Sequence, residues 1–138
     1  MPATGGTCVA PNTAVTRTIL AAAVLVGALS VVHVDPPAET RVTLVATDYA
    51  FSPTEIHAVA GGSLAITLDN RGAHTHGLRL VLSYGEVPFP QNVPPGQKVT
   101  EVFNDLGSSG RFRFYCPVED DDARGMHGTL IIEAAKTK

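Results

Sequence analysis

The chain has 138 residues, of which 17% are charged, and its formal net charge at pH 7 is −3. This length allows one modest hydrophobic core with some residues to spare. The sparse, slightly acidic charge supplies no basic face, which argues against nucleic-acid binding. Frequent glycine and proline, with β-branched residues in short runs, favour an all-β domain with many turns.

The N-terminal part contains an apolar segment that does not fit a globular domain. Residues 18–34, TILAAAVLVGALSVVHV, follow Arg17 and contain no acidic, lysine or arginine side chain. A transmembrane helix needs about 20 such residues and the apolar part of a secretory signal about 7–15, so both interpretations stay open. Cleavage at Ala28-Leu29-Ser30 is compatible with a signal. In both cases Arg17 keeps residues 1–17 as a short cytoplasmic tail and sends the rest across the membrane.

The two cysteines lie on opposite sides of this segment. Cys8 and Cys116 would therefore face different compartments and cannot form a disulfide with each other. Cys116 becomes a lone thiol in an oxidising space, where an unprotected thiol is a liability. It is either a buried, inert side chain or a metal ligand.

After a polar linker at residues 35–40, strand signals alternate with turn signals throughout residues 41–135. The runs are RVTLVATD, SPTEIHAVAGGS, LAITLDN, GLRLVLS, KVTEVFND, RFRFYC and GTLIIEA. A long proline-rich loop, residues 84–96, separates the fourth run from the fifth. About seven or eight short strands at this spacing predict one β-sandwich or barrel with Greek-key connections.

Two segments hold every residue suited to unusual chemistry. The first is DNRGAHTHGLRL, residues 69–80, and the second is RFRFYCPVEDDDARGMHGTLIIE, residues 111–133. If both loops lie at one pole of the sandwich, His76, Cys116 and Met126 converge. An imidazole, a thiolate and a thioether together favour copper over calcium or magnesium.

These motifs resemble those of the cupredoxins, the small blue copper proteins that include plastocyanin, pseudoazurin and auracyanin. FSPTEIHAVAGG resembles an early strand of the family, and NRGAHTH resembles the segment that ends in a copper-binding histidine. YCPV followed by GMHGTL resembles the loop that carries the cysteine, a second histidine and an axial methionine. The resemblance covers residues 42–133 and implies a cupredoxin-like fold.

Matched residue by residue, the resemblance implies that His76, Cys116 and Met126 bind one copper ion, with Met126 as the axial ligand. The position of the second histidine is occupied by Asp121, and the Pro-Gly that usually precedes it by Glu119-Asp120. The first interpretation is that Asp121 itself binds copper, with a lower reduction potential and a less purely blue spectrum.

Three further interpretations remain open at this position. A neighbouring histidine could replace the missing one, although His127 adjoins Met126 and successive strand residues face opposite ways, while His74 lies about 7 Å from His76 in an extended segment. The site could have lost copper altogether. Histidine, cysteine and carboxylate would also satisfy another metal, zinc.

The sequence therefore predicts an extracytoplasmic, membrane-tethered copper protein that carries single electrons between redox partners such as a cytochrome or an oxidase. The acidic run Glu119-Asp120-Asp121-Asp122 is either a solvated loop or a negative surface that attracts a cationic partner. No enzymatic arrangement of nucleophile and base is visible, and the single HTHG pair falls short of the four that multicopper oxidases need. The alternative function is a copper-handling or metal-free binding module.

Overall fold

A computed structural model describes Gly5 and residues 37–136 of the chain. The described part is all-β and contains no helix. Within residues 37–136 there are nine strands, which are β1 (Glu39–Thr47), β2 (Ala50–Ser52), β3 (Glu55–Val59), β4 (Ser63–Asn70), β5 (Arg79–Leu82), β6 (Gly85–Pro88), β7 (Lys98–Phe103), β8 (Gly110–Tyr115) and β9 (His127–Glu133). The prediction of an all-β fold is confirmed.

The strands form two mixed sheets. One has four strands in the order β2-β1-β4-β7, and the other has five in the order β3-β9-β8-β5-β6. Strands β1 and β4 are parallel, as are β3 and β9, and the remaining neighbours are antiparallel. This architecture is a cupredoxin-like sandwich, as the resemblance implied.

Alternation along the strands separates the core from the surface. In β1, Leu44 and Ala46 are fully buried, while Thr43 is exposed and Val45 is half-buried. This two-residue period is expected of a strand with one face against a core. The core residues that are least exposed come from both sheets and include Leu44, Leu64, Ile66, Leu68, Leu80, Phe114, Leu130 and Ile132.

The number of strands is nine, not seven or eight, because two short ones were not recognised. β2 has only three residues, too few for a visible alternation. β6 lies inside the proline-rich segment that was predicted to be a loop. It pairs with β5 at the edge of its sheet, where proline is tolerated because one side of the strand makes no ladder.

The predicted transmembrane or signal segment, residues 18–34, lies outside the described residues. Among those that are described, no helix is long and apolar enough to span a membrane. β1 begins at Glu39, within the segment predicted to be a linker.

The strand directions bring several loops to one pole of the sandwich, here called the site pole. β1 and β4 both end there, and β7 starts there because it is antiparallel to β4. In the other sheet, β8 ends next to the start of β5 and of β9. The hairpin turn after β1, the loop after β4 and the loop after β8 are thus the segments available to build a site at this pole.

Candidate metal centre

Both ends of the cysteine loop are anchored to the five-stranded sheet. Cys116 directly follows β8 and Met126 directly precedes β9, and the Cys116 N–H donates to the Met126 carbonyl at 3.0 Å. The side chains of both residues are buried, with exposed fractions of 1% and 0%. The loop therefore leaves and rejoins the sheet at one point and buries a sulfur-bearing side chain at each end.

Consecutive turns inside this loop place Asp121 against the protein interior. The Asp121 N–H donates to the Val118 carbonyl at 3.1 Å, and the Asp121 carbonyl accepts the N–H groups of Arg124 and Met126 at 3.1 and 3.0 Å. Only 5% of Asp121 is exposed. Its backbone is thus fixed from both sides, and its carboxylate is held at a buried position.

The loop after β4 is fastened to the proline-rich loop. His76 and Val93 exchange backbone hydrogen bonds of 3.1 and 2.7 Å. The fully buried Asn70 side chain donates to the carbonyls of His74 and Val93 at 2.8 and 2.7 Å. His76 is itself fully buried, so its ring has little freedom to turn.

Three of the four predicted ligands meet in one cluster at the site pole. One donor atom from each of His76, Cys116 and Asp121 lies within 4.8 Å of the other two. Asp121 Oδ2 is 2.9 Å from His76 Nδ1 and accepts a hydrogen bond from the Cys116 thiol at 3.2 Å. All three residues are buried, so these polar groups satisfy one another in place of water.

Backbone amides surround the cysteine sulfur. The Gly77 N–H donates to Cys116 Sγ at 3.2 Å. Burial raises the pKa of the Cys116 thiol to about 11, the N–H groups of Gly77 and Val118 oppose that rise, and Asp121 adds to it. A Cβ on Gly77 would lie 2.5 Å from Asn92 Oδ1, so a side chain at this position would require Asn92 to move.

Asp48 is a further residue of the site, and sequence reasoning did not identify it. It lies in the turn between β1 and β2, and its Oδ1 is 3.4 Å from His76 Nε2. The same oxygen accepts the N–H of Ala73 at 2.9 Å and of His74 at 3.3 Å. Desolvation acts to raise the pKa of Asp48, but these hydrogen bonds outweigh it and hold that pKa below its usual range.

The two histidines considered as replacement ligands lie outside the cluster. The His127 side chain is 47% exposed, and its Nδ1 is 3.3 Å from Asp122 Oδ1. The His74 side chain is 65% exposed, and its Nδ1 is 3.2 Å from Asp48 Oδ1. Each ring is engaged by a carboxylate near the surface, so Asp121 is the residue that faces His76 at the position of the missing histidine.

The acidic run carries less free charge than its sequence suggests. Asp120 pairs with Arg124 at 2.8 Å, and Asp122 pairs with Arg113 and with His127. Asp121 is buried in the cluster. The guanidinium of Arg124 also stacks over the Tyr49 ring at 4.7 Å, which joins the cysteine loop to the β1–β2 turn.

The donor set fits a single transition-metal ion. Metal–donor distances of about 2.0–2.3 Å separate neighbouring donors of a trigonal or tetrahedral site by about 3.3–4 Å. The contacts of 2.9 and 3.2 Å to Asp121 would need to lengthen by between about 0.1 and 1.1 Å to reach these separations. Imidazole, thiolate and carboxylate accommodate copper or zinc, and a buried thioether directly after the loop, Met126, favours copper.

Comparison with known families and structures agrees with this fold. A family model described as a cupredoxin-like domain matches residues 18–132. No curated protein sequence matches the chain. Among solved structures, auracyanin from Roseiflexus castenholzii superimposes with a TM-score of 0.62 at 17% identity, covering 70% of this chain and 98% of the auracyanin.

Two other solved structures illustrate the range of similar proteins. Auracyanin A from Chloroflexus aurantiacus, a blue copper protein, gives a TM-score of 0.58 at 19% identity, covering 70% of this chain and all (100%) of that one. The blue copper oxidase from Nitrosomonas europaea gives 0.60 at 19% identity over 73% of this chain, but only 41% of the oxidase is covered. At these identities the likeness shows a shared fold.

Proposed function

The chain belongs to the cupredoxin-like domain family, and from that premise we propose that it binds one copper ion and carries single electrons. The observation that carries the proposal is the buried cluster of His76, Cys116 and Asp121, with one donor atom of each within 4.8 Å of the others. Met126, fully buried at the end of the same loop, would be the fourth, axial ligand.

Bound copper would supply a centre that accepts and returns one electron, and the chain would hold its ligands still during this exchange. His76 is fixed by two backbone hydrogen bonds to Val93, and Cys116 by its bond to the Met126 carbonyl. Such a rigid frame limits structural change between the two oxidation states, which electron carriers require. Cys116 also continues β8, so the sulfur is covalently joined to a strand in the interior of its sheet.

We place the protein outside the cytoplasm, tethered by residues 18–34, with a redox protein such as a cytochrome or an oxidase as its partner. The apolar segment and the lone cysteine support this location. The acidic loop would contribute a modest electrostatic attraction to a cationic partner, because Asp120 and Asp122 are already paired with cations. We propose no enzymatic activity.

The first test is the addition of Cu(II) to the purified full chain. We expect one bound copper per chain and an intense thiolate-to-copper absorption band. The matched control is Cys116→Ser, in which the band is expected to disappear while the β-rich circular dichroism is retained. Absence of copper binding by the wild-type chain, or a band that survives in Cys116→Ser, would overturn the proposal.

Replacing Asp121 by histidine tests the position of this carboxylate. A carboxylate is a harder donor than imidazole and favours oxidised copper, so Asp121→His is expected to raise the reduction potential and deepen the blue colour. Asp121 also lines a pocket of about 260 Å³ on the outer side of the cysteine loop. An Asp121→His variant that folds but remains colourless with Cu(II) would contradict this assignment.

A metal-free binding module is the second candidate function. It is favoured by the hydrogen bonds of His76 and Cys116 to Asp121, since the three side chains satisfy one another without an ion. Stoichiometric copper and rapid electron exchange with a small redox reagent support the carrier. Tight copper binding with slow exchange supports copper handling, and no retained copper supports the metal-free module.

A further inference from the structure

The two nitrogens of the His76 ring face two different carboxylates. Nδ1 is 2.9 Å from Asp121 Oδ2, inside the proposed ligand cluster, and Nε2 is 3.4 Å from Asp48 Oδ1, outside it. A neutral imidazole carries hydrogen on one nitrogen and a lone pair on the other. Nδ1 can therefore bind a metal only when the hydrogen is on Nε2, where Asp48 is the acceptor.

Asp48 is held in place independently of His76. The N–H groups of Ala73 and His74 donate to the same Oδ1 at 2.9 and 3.3 Å. These two amides belong to the loop that carries His76, so the carboxylate fixes the approach of the loop as well as the ring. Asp48 directly follows β1 of the four-stranded sheet, whereas Cys116 directly follows β8 of the five-stranded sheet.

Gly72 lies against the contact between Asp48 and His76, so a side chain at this position would collide with both residues. A Cβ at Gly72 would lie 2.5 Å from Asp48 Oδ1 and 2.9 Å from His76 Nε2. Its φ is not in the left-handed region, so the requirement for glycine comes from close approach to the Asp48–His76 contact. A Cβ at Gly72 would also lie 3.0 Å from the Asp48 backbone nitrogen, so glycine leaves room both for the turn that carries Asp48 and for its contact with His76.

The turn that carries Asp48 retains backbone strain. Thr47 and Ala50 pair across the hairpin, so Asp48 and Tyr49 form its two-residue connection. Tyr49 has φ of +66°, a conformation that glycine adopts far more easily. The Tyr49 ring stacks against the guanidinium of Arg124 in the cysteine loop at 4.7 Å. One turn therefore contacts the histidine loop through Asp48 and the cysteine loop through Tyr49.

We propose that Asp48 is a positioning residue for the metal centre, which accepts the Nε2 hydrogen of His76 and thereby directs the Nδ1 lone pair at the metal. This inference rests on the proposed function. Carboxylates that orient a ligand histidine through its second nitrogen typically change metal affinity by about 10–100-fold when removed. The assignment also gives Gly72 a role, because its lack of a side chain leaves room for the contact between Asp48 and His76.

The test begins with the wild-type chain loaded with diamagnetic Cu(I), before any variant, because without metal the Nδ1 of His76 donates to Asp121 instead. Nitrogen-15 NMR of the histidine rings distinguishes a hydrogen-bearing nitrogen from one with a free lone pair. We expect a hydrogen on Nε2 of His76 whose exchange with water is slow, because the ring is buried and the hydrogen is bonded to Asp48. A His76 ring that carries hydrogen on Nδ1 alone would overturn the proposal regardless of how any variant behaves.

Three variants then separate positioning from general stability. Asp48→Ala removes the acceptor and is expected to weaken Cu(II) binding about 10–100-fold and to speed exchange of the Nε2 hydrogen. Asp48→Asn keeps an acceptor oxygen and is expected to restore most of the affinity. Gly72→Ala pushes the carboxylate off the ring and should resemble Asp48→Ala, although Asp48 remains in the chain.

The matched control is Asp105→Asn, which removes a loop carboxylate that also accepts a backbone N–H, from Gly107, at the opposite pole. It should leave copper affinity and the His76 ring spectrum unchanged. Wild-type affinity and an unchanged His76 spectrum in Asp48→Ala would overturn the proposal, as would equal losses in Asp48→Asn and Asp48→Ala. If the wild-type chain binds no copper, the proposed function fails as a whole, whereas a wild-type chain that binds copper with the His76 hydrogen away from Nε2 fails only the role of Asp48.

Discussion

Two histidines of this protein each lie between two carboxylates, in opposite surroundings. His76 is fully buried, with Asp121 at 2.9 Å and Asp48 at 3.4 Å. His57, on the outer face of β3, has a side chain that is 55% exposed, with Glu133 at 3.2 Å and Glu55 at 3.1 Å. Both places combine one imidazole with two carboxylates. Only the surroundings of His76 also contain a thiol and exclude water.

The difference shows what burial does to a common arrangement. Around His57, water screens the charges and can replace either carboxylate, so the arrangement contributes little. Around His76, a polar group that loses its partner has no water to replace it and becomes costly. The buried polar atoms of the cluster must therefore either form hydrogen bonds with one another or bind a metal ion. This requirement makes the cluster the place where copper affinity can arise.

The largest expected difference is in copper affinity. His76→Gln removes a proposed ligand and is expected to lower Cu(II) affinity at least about 100-fold, whereas His57→Gln should leave it within about twofold, because exposed ion pairs are weak and lie away from the cluster. Competition titration against a chelator measures both. Equal losses in the two variants would show that copper binds elsewhere.

A second difference concerns the pH dependence of the free energy of unfolding of the metal-free chain. The pKa of Cys116 is raised to about 11 from 9.0, mainly by burial, so the folded state favours the neutral thiol. The resulting stability is fully present below about pH 9 and is lost as pH rises through about 11, a loss of roughly 2 to 3 kcal/mol.

Urea unfolding of the metal-free chain from neutral pH upwards measures this loss. Cys116→Ala is the control and is expected to show a much shallower decline over the same range, because it has no thiol to ionise. If both proteins lose stability in parallel, Cys116 is not the group responsible.

Removing one carboxylate from each arrangement sharpens the comparison further. Asp121→Asn is expected to lower the pKa of Cys116, because both the hydrogen bond and the charge of Asp121 raise it, while burial still keeps it above 9.0. Glu133→Gln is expected to lower the pKa of His57, which is raised because the ring donates hydrogen bonds to Glu133 and, with a smaller effect, to Glu55. Thiolate absorbance follows the first variant and proton NMR the second; an unchanged pKa in either would contradict that attribution.

The smallest expected effect is the contribution of His57 to stability. Its pKa is raised above 6.5, so the contribution is fully present below about pH 6.5 and is lost as pH rises through the folded value. We expect Tm to change by about 2 °C or less across this range, because the group is exposed. The same melts on His57→Gln should lack the change, and a larger shift that persists in the variant would assign it to another group.

The sequence predicted the residues of the cluster better than it predicted their support. Family resemblance placed His76, Cys116 and Asp121 together, and the structure confirms that they meet. The rule that neighbouring strand residues face opposite ways also anticipated that Met126 and His127 would not both point at the site, and in the structure Met126 is buried while His127 is exposed. The ligand roles themselves stay a prediction, which copper titration of the variants would check.

Asp48 could not be found from the sequence because its role depends on tertiary structure. It lies 28 residues before His76, at the end of a strand in the other sheet, and no motif links the two positions. The only local signal is the tyrosine that follows it, since a two-residue hairpin turn favours glycine at such a place. β6 was missed for a related reason, because the prolines around it masked a strand that pairing with β5 stabilises.

The separations in sequence within the cluster have a consequence for how the chain folds. His76 meets Asp121 across 45 residues and Asp48 across 28, and Gly77 meets the cysteine sulfur across 39. Closing such long loops costs conformational entropy, so we expect these contacts to form late in folding. Interactions that are absent from the folding transition state slow unfolding without speeding folding. The contacts of the metal centre are therefore expected to slow unfolding, and so to prolong the lifetime of the folded domain, while leaving its folding rate unchanged.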